Sequence, residues 1–168
     1  MTKFDFYFCA ILIIFLGGCS QNASTPFSTN GVVNSSSAKF EGNASDPGSI
    51  AFFKNSVGDR VLFSIDQSDI DQSGKDILLG QVEWLQINSE YQIIIEGHAD
   101  ERGTREYNLA LGARRANSAR EFLISRGIES SRIQTVSFGK ERPVELCSKE
   151  NCYSENRRAV SVVSNLNF

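Results

Sequence analysis

The chain contains a single histidine, one methionine, one tryptophan and three prolines in 168 residues. One histidine, His98, cannot complete a metal site by itself. With no second histidine, no free thiol and no nucleophile motif beside it, the sequence offers no catalytic constellation and argues against a hydrolase. The ordinary role for His98 is that of a hydrogen-bonded loop or pocket residue. An excess of positive charge is also lacking. Seventeen Lys and Arg against 20 Asp and Glu leave a net charge of -3, which removes the electrostatic ground for binding nucleic acid. The apolar run from Phe6 to Leu16 falls short of the roughly 20 residues a membrane-crossing helix needs. At 40% hydrophobic and 22% charged residues the chain supports one modest globular domain plus tails.

That short run follows Lys3 and ends in Leu16-Gly17-Gly18-Cys19. A polar stretch rich in Gly, Ser and Asn comes directly after it, so no neighbouring apolar segment would cover it as a buried helix. An export signal is the better reading, although Asp5 makes the flank less cationic than usual. Leu16-Gly17-Gly18-Cys19 resembles the lipobox of bacterial lipoproteins. The resemblance implies that residues 1–18 are removed and that Cys19 is acylated as the first residue of the mature chain. Ser20, where Asp would signal retention in the inner membrane, implies sorting to the outer membrane with the domain facing the periplasm. Several acyl chains hold far more firmly than one, since each buried methylene contributes about 0.8 kcal/mol.

Residues 20–49 have too few large apolar side chains to offset the entropy of ordering. With Cys19 they read as a lipidated tether, residues 19–49, whose root-mean-square span as a flexible chain is roughly 30 Å. With Cys9 in the removed segment and Cys19 acylated, Cys147 and Cys152 remain as an even pair. A disulfide fits an oxidising periplasm, whereas the competing half zinc site finds no further ligands.

The globular part is expected over 50–168. Arg60 to Ile65 alternates as a strand, and Ser73 can cap a helix through Asn88 with Leu78, Val82 and Leu85 on one face. Tyr91 to Glu96 contains Ile93-Ile94-Ile95, a run suited to a central strand covered on both faces. After a loop from Gly97 to Gly103, Thr104 caps a second helix that runs to Arg126 and ends at Gly127. Gln134 to Phe138 and Arg158 to Val163 complete the set, with a loop holding Pro143 and the cysteine pair between them. The order β-α-β-α-β-β predicts an α/β (α+β) two-layer sandwich with helices packed on a mixed sheet.

Glu96 to Thr104 stands where a buried strand hands over to a helix N-terminus, a place that favours anions and ligands. Within the second helix Leu111, Arg115, Ala119 and Phe122 or Leu123 share a face, so Arg115 interrupts an apolar stripe and must find an anion or water. Arg114, about 100° away around the helix, is free to be solvated. Two readings of Arg115 stand side by side. It forms a structural ion pair with Asp100, or the two present opposite charges to one zwitterionic ligand.

The stretch from Ile95 to Asn108, Ile95-Glu96-Gly97-His98-Ala99-Asp100-Glu101-Arg102-Gly103-Thr104-Arg105-Glu106-Tyr107-Asn108, closely resembles the lipidated members of the OmpA C-terminal-like family. So do Gly112-Ala113-Arg114-Arg115-Ala116, Ser137-Phe138-Gly139-Lys140-Glu141-Arg142-Pro143 and Asn156-Arg157-Arg158-Ala159-Val160. The resemblance covers about residues 56–166 and extends to the lipobox and tether. It implies non-covalent binding of the diaminopimelate residue of peptidoglycan stem peptides, no catalysis, no cofactor and no metal. The family's helix motif Asn-x-x-Leu-(Ser or Gly)-x-x-Arg-Ala is matched by Asn108, Leu111, Gly112, Arg115 and Ala116. Its ligand-binding acid and base fall on Asp100 and Arg115. Asp66 corresponds to a further contact, with Ile65 where Phe is common, while Asn108, Leu111 and His98 are supporting pocket residues. The resemblance also implies TolB and other Tol-system proteins as partners, in maintaining the envelope and in cell division. A stator-type relative would instead carry a transmembrane helix.

Overall fold

The computed structural model describes residues 42–165, so the expected signal, Cys19 and most of the expected tether lie outside the described residues. The elements are a helical turn α1 (Ile50–Phe52) running into a π-helical stretch (Phe53–Gly58), β1 (Arg60–Leu62), α2 (Gln72–Ile87), β2 (Gln92–His98), α3 (Arg105–Ser125), β3 (Ile133–Gly139), α4 (Glu150–Asn156) and β4 (Arg158–Ser164). The strands form one sheet in the order β1-β4-β2-β3. β2 runs parallel to β3, with Ile93 opposite Ile133, and antiparallel to β4, with Ile95 opposite Ser161. The parallel pair requires a long crossover, which α3 supplies. This is the mixed α/β sandwich that the element order predicts.

β2 is central, as the isoleucine triplet suggests, but it is not covered on both faces. Ile93 and Ile95 are buried against the helices, while Ile94 points to the open face and is half-buried. With one helical layer, only alternate residues reach the core. That core joins Phe53, Leu78, Leu85, Ile93, Ile95 and Leu123 between sheet and helices. α3 begins and ends as expected, with Thr104 Oγ1 accepting from the Tyr107 N–H (3.2 Å) and Gly127 at a φ of 94° beyond its end.

The structure departs from the pattern reading in four further places. Asp71, not Ser73, caps α2, because its extended backbone lets Oδ1 accept from the Gly74 N–H at 2.8 Å. β1 stops at Leu62 rather than Ile65, since the chain past Phe63 turns its Ser64 and Gln67 carbonyls toward the Arg115 guanidinium and no longer follows a ladder. The expected loop between β3 and β4 contains helix α4, closed at its start by the Cys147–Cys152 disulfide. Seven residues with only Cys152 and Asn156 buried leave almost no apolar period to read. At the other end, the last residues of the compositional tether join the fold. Trp84 Nε1 donates to the Pro47 carbonyl (2.7 Å), the Tyr91 hydroxyl donates to that of Gly48 (3.1 Å), and Ser49 is buried.

α3 lies unusually close to the sheet at two glycines. A Cβ on Gly97 would stand 1.8 Å from the Gly112 carbonyl oxygen, and one on Gly112 would stand 2.4 Å from Ser137 Oγ. This contact seats the helix that carries Asn108, Leu111 and Arg115 directly on the strand that leads to Asp100.

Candidate ligand-binding site

A cavity of about 380 Å³ opens where three pieces of chain meet. Ile65 and Asp66 come from the turn after β1, Asp100, Arg102 and Gly103 from the β2–α3 loop, and Tyr107, Asn108, Leu111 and Arg115 from the first turns of α3. The expected ligand residues Asp100, Arg115, Asp66, Ile65, Asn108 and Leu111 therefore share one pocket. The side chain of His98 does not line it.

Arg115 is fully buried. It donates Nε–H to the Gln67 carbonyl (2.8 Å), Nη1–H to that of His98 (2.8 Å) and Nη2–H to that of Ser64 (3.1 Å), with the guanidinium 5.3 Å above the Phe63 ring. Burial, and then repulsion by Arg157, lower its pKa to about 10, with Asp100 and Asp66 acting in the opposite direction. The cation persists at neutral pH. The direct Arg115–Asp100 ion pair expected in one reading is not formed. A guanidinium has five N–H donors, so three bonds to carbonyls, which carry no formal charge, leave both its charge and part of its donor set for an anion in the cavity.

Asp100 is 7% exposed. Its Oδ1 accepts from the Arg102 backbone N–H and Nε–H, both at 3.2 Å. Oδ2 accepts from Arg102 Nη2 (2.5 Å) and Arg157 Nη1 (3.3 Å). Burial alone would raise its pKa, but the bonds from Arg102 and Arg157 outweigh that and hold it below the ordinary value, so the group is a carboxylate. The pocket thus carries a buried cation from the helix and a buried anion from the loop.

The remaining residues shape this pair. Asn108, 2% exposed, donates Nδ2–H to the Arg102 carbonyl (2.7 Å) and fixes the loop on the helix. Leu111 supplies an apolar wall, and Ile65, 54% exposed, stands at the mouth. Asp66 has a φ of 57° and accepts a hydrogen bond from the Tyr107 hydroxyl. A left-handed conformation is one that Asp tolerates better than most residues, and such positions cluster at ligand sites.

His98 acts through its backbone. Its ring is 2% exposed and stacks on Phe138 with centroids 5.6 Å apart, while its carbonyl accepts from Arg115. Burial first, then the charges of Arg158 and Arg142, lower its pKa to about 4. The imidazole is therefore neutral at neutral pH and supplies neither charge nor side-chain contact to the pocket.

Residues 62–160 match the model of the OmpA family. The chain belongs to the OmpA family. Within it, the chain is similar to peptidoglycan-associated lipoproteins. It is 42% identical to that of Mesorhizobium japonicum over 164 residues, covering 98% of this chain and 94% of the relative. It is 47% identical to that of Agrobacterium fabrum over 154 residues, covering 90% and 83%. The crystal structure of the Burkholderia pseudomallei peptidoglycan-associated lipoprotein superposes with a TM-score of 0.64 at 35% identity, covering 72% of this chain and 98% of that one. These relatives are named for association with peptidoglycan.

Beyond what the motifs of the OmpA family indicate, Arg102, Tyr107 and Arg157 also take part in this site. All three lie inside the quoted motifs, but a loop position such as Arg102 has no period from which its direction could be read. Arg157 reaches Asp100 across 57 residues of chain. It does so because its backbone pairs with Phe63, whose N–H donates to the Arg157 carbonyl at 2.8 Å. Only the sheet register reveals that approach.

Proposed function

We propose that this OmpA-family lipoprotein binds peptidoglycan non-covalently through the diaminopimelate of its stem peptides and so ties the outer membrane to the cell wall. The observation that carries the reading is the opposed pair in one cavity, the Arg115 guanidinium and the Asp100 carboxylate, both buried and held by separate elements. The side-chain centre of diaminopimelate bears one ammonium and one carboxylate on a single carbon. An arginine fork suits the carboxylate and an ionised acid suits the ammonium. Burial strengthens both contacts relative to water.

The membrane end of the bridge is acylated Cys19, supported by Leu16-Gly17-Gly18-Cys19 and by kinship with lipoproteins. The polar stretch after it lets the domain reach the wall. The same kinship carries the expectation of TolB and other Tol-system proteins as partners, and of a part in envelope integrity and cell division.

The full chain, extracted in detergent, is expected to co-sediment with purified diaminopimelate-type peptidoglycan and to be released by excess free diaminopimelate. Sedimentation that free diaminopimelate leaves unaltered would assign the wall contact to another surface.

A further inference from the structure

If Asp100 receives a ligand ammonium, the carboxylate must first be freed. Its two oxygens already accept from four donors, about the number of lone-pair directions that a carboxylate offers. One donor has to leave when an ammonium arrives, and the two arginines differ sharply in their freedom to do so.

Arg157 is fixed. Its side chain is 6% exposed, Nε donates to the Phe63 carbonyl (3.0 Å), and Nη2 donates to Glu150 Oε1 (2.6 Å). Its carbonyl accepts from the Phe63 N–H at 2.8 Å, just past the end of the β1–β4 pairing. Arg102 is not fixed in this way. Its side chain is 42% exposed and lines the cavity. A second set of partners is already within reach on α4, with Glu150 Oε2 at 3.7 Å and the Tyr153 ring centroid 4.4 Å away.

We propose that Arg102 is a displaceable internal occupant of the ammonium site. In this structure its guanidinium is shared between Asp100 and the Glu150 and Tyr153 side of α4; a bound ligand's ammonium takes over the carboxylate while Arg102 keeps only Glu150 and the Tyr153 face. The exchange keeps Asp100 compensated at every stage, so the loop needs no protonation or unfolding to admit a ligand. It also sets selectivity. A simple carboxylate can approach Arg115 but cannot release Arg102, whereas an ammonium beside the carboxylate does both. The proposal rests on the reading of Asp100 and Arg115 as the diaminopimelate pair and adds a specificity-determining residue to it.

Calorimetric titration of the full chain in detergent with free meso-diaminopimelate tests this. Arg102→Gln removes the competing cation and leaves a shorter, neutral polar side chain, so binding is expected to tighten roughly fivefold, the worth of a partly exposed ion pair. Arg102→Lys retains a competing cation and should stay within about twofold of wild type. Asp100→Ala should show no measurable binding. Unchanged or weaker binding by Arg102→Gln, with Asp100→Ala inactive, overturns the displacement and leaves the binding site standing. Wild-type affinity in Asp100→Ala overturns the site itself. A measurement on the unaltered chain covers the case in which the Gln variant fails to fold. The Arg102 Nε–H should exchange faster with water when diaminopimelate saturates the protein, while that of Arg157 stays protected. Unchanged protection of Arg102 overturns the proposal.

Discussion

Asp100→Ala and Arg115→Lys each remove at least nine-tenths of the binding to a diaminopimelate-containing stem peptide, a loss of about 1.4 kcal/mol or more. The acid is 7% exposed and the arginine fully buried, so truncating either member also leaves an uncompensated ligand charge in a desolvated cavity. Breaking such a charge pair typically costs about 2 to 5 kcal/mol. Lysine preserves the charge at position 115 but not the fork. It cannot reach the carbonyls of Ser64, Gln67 and His98 and a ligand carboxylate together. Arg115→Ala should go further and also destabilise the fold by about 3 kcal/mol, because those carbonyls lose their common donor. Thermal melts run beside calorimetry separate the two effects. Arg114 is exposed, as expected, but its guanidinium lies 5.9 Å over the ring of Tyr107, a pocket residue. The better control is therefore Arg120, whose partner is the surface Glu121 at 2.6 Å. Arg120→Ala is expected to bind within about twofold of wild type, since exposed pairs contribute little. Wild-type binding by folded Asp100→Ala and Arg115→Lys would show that the cavity is not the receptor.

A larger effect on stability is expected from a single methyl group. In Gly97→Ala the new Cβ would lie 1.8 Å from the Gly112 carbonyl oxygen and 2.6 Å from its carbon, both backbone atoms that no rotamer change can move aside. Helix α3 must then lift from β2, which opens the core at Ala116 and displaces Asn108, Leu111 and Arg115 from the loop they face. The expected destabilisation exceeds about 4 kcal/mol, at the extreme of what one substitution does. Gly80→Ala is the counterpart. Within α2 its added Cβ meets nothing nearer than a Val57 methyl at 3.4 Å, an ordinary van der Waals contact. Alanine's helix preference should there leave stability equal or up to about 1 kcal/mol higher. Denaturant titrations of both variants decide. A cooperative Gly97→Ala domain within about 1 kcal/mol of wild type would mean that helix and sheet are not locked at this contact.

The legible parts of the fold and site were those with a period or a motif. Leu111, Arg115, Ala119 and Leu123 fall on one face of α3 and are all buried, so the stripe with its single charge could be read from spacing. The isoleucine triplet located the central strand, yet Ile94 faces the open side. A continuous apolar run does not distinguish one covered face from two. Asp100 and Arg115 were found as a pair, but the spacing could not choose between a bridge and a shared ligand. The choice depends on three carbonyls from the turn after β1 and the β2–α3 link. Their direction follows from a β1 that ends early and from the left-handed Asp66. Arg157 and Glu150 could not be placed at all, because α4 is too short to show a face and the approach to Asp100 is set by sheet pairing.

Two stem peptides identical except at the third residue decide whether the pocket reads an ammonium and a carboxylate on one centre. One carries meso-diaminopimelate and the other lysine, which keeps the terminal ammonium and lacks the adjoining carboxylate. Titrated into the wild-type chain, the diaminopimelate peptide should bind at least tenfold more tightly, because with lysine Asp100 is matched and the buried Arg115 gains no anion. Equal affinity for the two peptides would show that Arg115 does not receive the ligand carboxylate.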